Sequence, residues 1–127
     1  MRLLIILRAG WIPYTIPFAY THHLAAVIYG FLRRASQDYA RFLHDEGYRV
    51  GTKRFKLFTF SQLLIPKRTL TPQGILCQSH ELSWQVASPV TEFMEHFAQG
   101  LLQLGQMRLG EHEFLIERVQ VLPRPHF

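Results

Sequence analysis

The chain has 127 residues, 48% hydrophobic and 18% charged, with 14 Lys/Arg against 9 Asp/Glu and a net charge of +5. That length supports one core and not two of ordinary size, so residues 1–127 read as a single domain, and the apolar content excludes a disordered chain. No apolar run reaches the roughly 18 residues of a membrane span. One cysteine, Cys77, excludes an intrachain disulfide or a cysteine-built zinc site, and a reducing cytoplasm fits.

In MRLLIILR the apolar run before Arg8 is only five residues, too short for a signal-peptide core. Residues 2–8 read as a buried central strand, because Gly10 and Pro13 stop the run short of helix length. Residues 10–21, with Gly10, Pro13 and Pro17, read as a connecting loop. From His22 to Ala35 the apolar positions Leu24, Val27, Ile28, Phe31 and Ala35 follow helical spacing. Tyr29 falls about 140° from Leu24, off that stripe. Ser36 is an N-cap with Asp38 in the first turn; the helix it opens buries Tyr39, Phe42 and Leu43 and stops at Gly47. His44 lies about 140° from Tyr39, again on the flank.

YRVGTKR then reads as a basic loop, and KLFTFSQLL as a strand with Lys56 at its mouth, sharing parity with Phe58 and Phe60. TPQG at 71–74 suits a turn, and Ile75–Ala87 alternates as the second strand of a hairpin. Ser88-Pro89 starts a helix whose stripe runs through Val90, Phe93, Met94, Phe97, Leu101 and Leu104 to Gly105. Met107 onward is a last strand with a turn or bulge at Gly110, ended by Pro123 and Pro125.

Strand, helix in two pieces, strand, strand, helix, strand is the order of an α+β, ferredoxin-like βαββαβ domain. Such a domain has a four-stranded antiparallel sheet with helices on one face, like an RNA recognition motif. The charge is segregated. Residues 33–68 hold nine Lys/Arg and three Asp/Glu, and residues 69–127 hold three and six. A basic face able to meet phosphates is expected, built from Arg33, Arg34, Arg49, Lys53, Arg54, Lys67 and Arg68. Cys77 reads as a small buried hydrophobe. His22 and His23 diverge by 100° on a helix, which argues against a shared metal ion. His80, His96, His112 and His126 are scattered and carry no assignment.

The LLIILR strand, the helix LAAVIYGFL, Tyr39-x-x-Phe42-Leu43-His44-Asp45-x-Gly47, the strand Lys56-Leu57-Phe58-Thr59-Phe60-Ser61 and the late stretch Gly110–Leu122 together carry a family resemblance. The chain resembles, end to end, the N-terminal domain of the CRISPR-associated endoribonucleases that cut long CRISPR transcripts at each repeat. The resemblance implies an active site of a tyrosine in the first helix, a histidine after the second and a lysine at the following strand. By motif these are Tyr29, His44 and Lys56. It implies metal-independent RNA cleavage leaving a cyclic phosphate and a 5′-hydroxyl, with no cofactor. The implied partners are CRISPR repeat RNA and a second ferredoxin-like domain bearing a glycine-rich loop, a homodimer or a CRISPR effector complex, and no membrane.

Attack of a ribose 2′-hydroxyl on the adjacent phosphate needs one proton removed and one delivered. A histidine suits either step. A lysine offsets phosphorane charge, and a tyrosine orients the nucleophile or donates a proton. The residues alone leave alternatives open: Tyr29 as an edge-of-core aromatic, Lys53 in place of Lys56, and a non-catalytic RNA scaffold or a dimerising domain in place of the enzyme.

Overall fold

The computed structural model describes residues 1–123. Pro125 and His126 lie outside the described residues. β1 (Arg2–Ala9) is the central strand, and its alternation sets the two faces of the sheet. Leu3, Ile5 and Leu7 join the core, while Arg2 and Arg8 stand exposed. A short β2 (Tyr14–Ile16) follows where a plain loop was expected. Then come α1 (Thr21–Ala35) and α2 (Gln37–Asp45), separated by Ser36. Ser36 Oγ accepts from the Tyr39 N–H at 3.1 Å, so the expected cap is present, and Gly47 adopts the left-handed conformation (φ 72°) that ends α2.

The basic segment after Gly47 is not a loop. It is a two-stranded ribbon, β3 (Tyr48–Val50) and β4 (Lys53–Phe55), turning at Gly51 (φ 64°). The strand expected over 56–64 shrinks to β5 (Thr59–Phe60), with an isolated bridge from Leu64 to Ser83. Leu57 is the reason: its φ of 60° breaks the extended chain, so parity cannot be carried from Lys56 to Phe58. The TPQG turn joins β6 (Arg68–Thr71) to β7 (Gly74–Cys77), which pair with β2 as a separate three-stranded sheet. The expected hairpin strand 75–87 is thus two elements, β7 and β8 (Glu81–Ala87).

Helix α3 (Thr91–Leu104) begins two residues after Pro89, because Ser88 does something other than cap it. Its Oγ donates to the Leu57 carbonyl at 2.7 Å and accepts from the Val90 N–H at 3.0 Å. β9 (Gln106–Leu109) and β10 (His112–Leu122) form a hairpin across Gly110 (φ 61°), so the last strand is a pair.

The main sheet is antiparallel and five-stranded rather than four-stranded, in the order β5-β8-β1-β10-β9. Its one register shift is against β1: Ile6 faces Arg118 and Leu7 faces Ile116, which leaves Glu117 as the extra residue. Leu82, Trp84, Val86 and Phe114 extend the apolar face of β1, and onto it pack Leu24, Ile28 and Phe31 of α1 and Phe93, Phe97 and Leu101 of α3. The two helices meet at Gly100, beside the Phe31 backbone, with the Phe31 and Phe97 rings edge to face at 5.7 Å. No helix among the described residues is long and apolar enough to cross a membrane.

Candidate functional site

Tyr29 sits on the flank of α1, half-buried, and α2 folds back so that His44 meets it. The two rings are edge to face with centroids 5.5 Å apart, and Phe58 supports the tyrosine from the other side at 6.0 Å. Phe58 is itself stacked on Phe93 of α3 at 4.9 Å, so the phenol is braced from the core. Burial pushes the Tyr29 phenol above its ordinary value. At neutral pH it is therefore a hydroxyl donor and not a base.

His44 is exposed, and its Nδ1 lies 3.0 Å from Asp45 Oδ1. An ionised carboxylate only accepts, so Nδ1 carries the hydrogen and Nε2 keeps the lone pair in the neutral ring. Lys56 reaches the same end of α2, where its ammonium donates to the carbonyls of Leu43 and His44. It thus caps the negative end of the helix dipole, one of its two acceptors being the carbonyl of His44 itself. Two of its three N–H groups are spent there, leaving one for another acceptor. Lys53, the alternative to Lys56, stands on the ribbon opposite Val50.

The structure thus brings the Tyr29 and His44 side chains together, while Lys56 meets the main chain of α2 and does not line their hollow. Tyr29 and His44 share a hollow of about 300 Å³ with Arg33, Gln37, Arg41 and Asp45. Asp45 and Arg41 are contributions that the sequence reading missed. Gln37, Arg41 and His44 follow i, i+4, i+7 spacing, so that face of α2 was available as a signal.

All seven basic residues expected to meet phosphate are exposed, and they are spread over α1, the ribbon and the β6 region. Arg33 lines the hollow. Arg49, Lys53 and Arg54 occupy the ribbon, with Arg49 directly opposite Arg54 and Arg54 Nη1 donating weakly to the Asp45 carbonyl at 3.4 Å. The ribbon is moored to α2 by Tyr48, whose hydroxyl pairs with that of Tyr39 at 2.9 Å and whose ring meets Phe42 at 5.2 Å. Burial first, and then that hydroxyl pairing, raise the Tyr39 phenol. Arg34 follows Arg33 in the last turn of α1. Lys67 precedes β6 of the smaller sheet and Arg68 begins it, donating to the Ile65 carbonyl at 3.2 Å.

His22 and His23 do not diverge as expected. Their rings lie 4.3 Å apart, though no third metal-ligating side chain joins them among the described residues.

An antiparallel sheet backed by helices, with a tyrosine–histidine pair on the helical flank beside a basic ribbon, defines an α+β domain with a polar site at its helical edge. The family description "CRISPR-associated protein Cas6, N-terminal" matches residues 15–120, and the chain belongs to that family. It is 36% identical over 110 residues to the CRISPR-associated endoribonuclease Cas6 1 of Methanocaldococcus jannaschii, covering 87% of this chain and 41% of that protein. A solved CRISPR-associated protein Cas6 superposes with a TM-score of 0.73 at 34% identity, over 98% of this chain and 49% of the other. A Cas6-related protein of Pyrococcus furiosus shares the fold with a TM-score of 0.84 at 23% identity, over 99% of this chain and 49% of that one. The chain therefore spans less than half the length of these relatives.

Proposed function

We propose that this chain is the N-terminal, single-domain portion of a CRISPR repeat-processing endoribonuclease and carries its reacting side chains. Within the five-stranded sheet, β5, β8, β1 and β10 follow the strand order of a ferredoxin-like βαββαβ unit, and β9 is an added edge. The observation that carries the reading is the pairing of Tyr29 with His44, the latter oriented by Asp45, at the rim of a hollow shared with Arg33 and Arg41.

In this reading His44 Nε2 takes the proton of a ribose 2′-hydroxyl. The freed oxygen attacks the adjacent phosphorus, the bond to the 5′-oxygen breaks, and that oxygen takes its proton from the Tyr29 hydroxyl or from water, the proton held by His44 returning to that donor through solvent. The products are a 2′,3′-cyclic phosphate and a 5′-hydroxyl, with no metal or cofactor required. Tyr29, held protonated by its burial, donates a hydrogen bond to the phosphate or to the departing oxygen. Lys56 acts chiefly by fixing the end of α2 that bears His44, and its remaining N–H and the arginines offset charge on the phosphorane. Arg49, Lys53 and Arg54 grip the strand by its phosphates, with Arg34, Lys67 and Arg68 as outlying contacts. The whole enzyme adds a second ferredoxin-like domain, and it works in the cytoplasm on repeat RNA.

Radiolabelled repeat RNA incubated with the protein and excess chelator tests this. Cleavage to a cyclic phosphate, lowered about 10²- to 10⁴-fold by His44→Ala, is the expected result. A shifted but intact band from the wild type, or an unchanged rate in the variant, refutes the catalytic assignment.

A further inference from the structure

Where β1 runs out at Ala9 lies a second hollow, of about 330 Å³, that shares none of its lining with the first. Trp11, Arg8, His80, Gln106 and Glu113 line it. We infer that this hollow is a nucleobase subsite in which an unpaired base of the bound RNA stacks on Trp11. The inference rests on the RNA-directed reading above and names a contact which that reading does not contain.

Trp11 is 62% exposed, yet it is not a loose side chain. Its indole stands edge-on to His112 at 6.1 Å; His112 lies against Tyr14 at 5.3 Å, and Tyr14 against the buried Phe114 at 5.5 Å. A chain of rings thus braces an open aromatic surface from the core. An indole held this way loses little freedom when a base covers it, and every base offers a π-face for stacking.

The rest of the lining supplies the polar edge. His80 Nδ1 lies 3.1 Å from the Ala9 carbonyl, and the Ala9 N–H donates to the His80 carbonyl at 2.7 Å. A carbonyl only accepts, so the Nδ1 hydrogen is fixed and Nε2 of the neutral ring is left as an acceptor. Glu113, already held by Arg108 at 2.9 Å, accepts through its other oxygen. Gln106 both donates and accepts, and Arg8 only donates. Acceptors and donors on one rim suit the exocyclic amines, ring nitrogens and carbonyls of a base. Around 330 Å³ is at the small end of ligand sites, about 300–1,000 Å³, which suits one base rather than a duplex.

The two tryptophans make the test direct, since Trp84 is 1% exposed and only Trp11 is open to a neutral quencher. The probes are an eight-residue oligoadenylate and acrylamide. Oligoadenylate is expected to change Trp11 emission and shield it from acrylamide. Trp11→Ala is expected to weaken oligoadenylate binding about 5- to 100-fold without altering the dependence of affinity on salt, because stacking releases no counterions. Trp11→Phe should retain most of the affinity.

Salt-dependent RNA binding with unchanged acrylamide access and an undiminished Trp11→Ala affinity overturns this subsite and leaves the endoribonuclease reading standing. A wild-type protein that binds no RNA at all overturns both. An oligomer in solution that Trp11→Ala dissociates, with RNA affinity unchanged, identifies the hollow as a protein contact and overturns it as well.

Discussion

Replacing Gly100 with alanine sets two effects of opposite sign against each other. Helix propensity alone favours alanine in the middle of α3 by about 1 kcal/mol. The structure says otherwise. A Cβ at this position would overlap the Phe31 carbonyl oxygen and come within 2.6 Å of its carbonyl carbon and 2.9 Å of its Cα. Backbone cannot rotate away as a side chain would, so restoring ordinary contacts of ~3.5 Å to the Phe31 carbonyl requires α1 and α3 to part by more than about 1 Å. Overpacking of this kind costs about 1–3 kcal/mol, and the rigid partner places Gly100→Ala at the upper end. Set against the propensity gain, the net loss is about 2 kcal/mol, or roughly 8 °C in Tm for a domain of this size. Differential scanning calorimetry measures it, with Gly30→Ala as the control. There the nearest atom to the new Cβ is Arg33 Nη2 at 3.9 Å, so propensity acts unopposed and Tm should rise by roughly 2–4 °C. A Gly100→Ala protein as stable as the wild type would show that the helices slide freely and that their spacing does not hold Tyr29 in place.

Tyr29→Phe keeps the ring contacts to His44 and Phe58 and removes only the hydroxyl, so single-turnover cleavage should fall about 10²-fold while RNA affinity stays within about twofold. Lys56→Met should cost about 1–2 kcal/mol in urea unfolding, because the charged cap on α2 is removed. It should lower kcat more than it raises KM if the lysine acts through the position of His44. Neutralising Arg49, Lys53 and Arg54 to glutamine should reduce the slope of log affinity against log salt by about 0.7 for each phosphate left without its cation, and an unchanged slope removes the ribbon from the RNA path. Alkaline stability follows from the raised phenols of Tyr39 and Tyr29. Above their ordinary value of 10.0 the unfolded chain releases protons that the folded chain retains, so stability is intact below that pH and falls as pH rises beyond it. Tyr39→Phe should flatten that fall in denaturant midpoints measured between pH 9 and 11.

The helices were legible because each signal was local. Ser36, Gly47 and Gly105 mark ends through their own backbone preferences, and the apolar stripes of α1 and α3 need only a period of 3.6. The central strand was legible for a similar reason, being bounded by arginines and glycine. What failed were features decided at long range. No local pattern shows that Leu57 takes a positive φ, because that conformation accompanies a hydrogen bond from Ser88, 31 residues later. Nor does composition distinguish a basic loop from a basic ribbon, since every residue of β4 is exposed and pairing is the only difference. Of the proposed site, the wheel placed Tyr29 and His44 off the buried stripes and the family resemblance singled them out, but the ammonium of Lys56 turning to helix carbonyls, and Asp45 fixing the imidazole hydrogen, are tertiary contacts that no local pattern shows.

The ribbon between α2 and β5 holds two guanidinium-bearing residues face to face across its strands, with its mooring at the Tyr48 end. Self-repulsion of that kind is relieved by any anion, and so by simple electrolyte as well as by nucleic acid. Rising ionic strength should therefore slow amide exchange in this segment while it loosens the grip on RNA proposed for it. On that proposal, the ribbon's most ordered state and its tightest hold on a transcript fall at opposite ends of a salt titration.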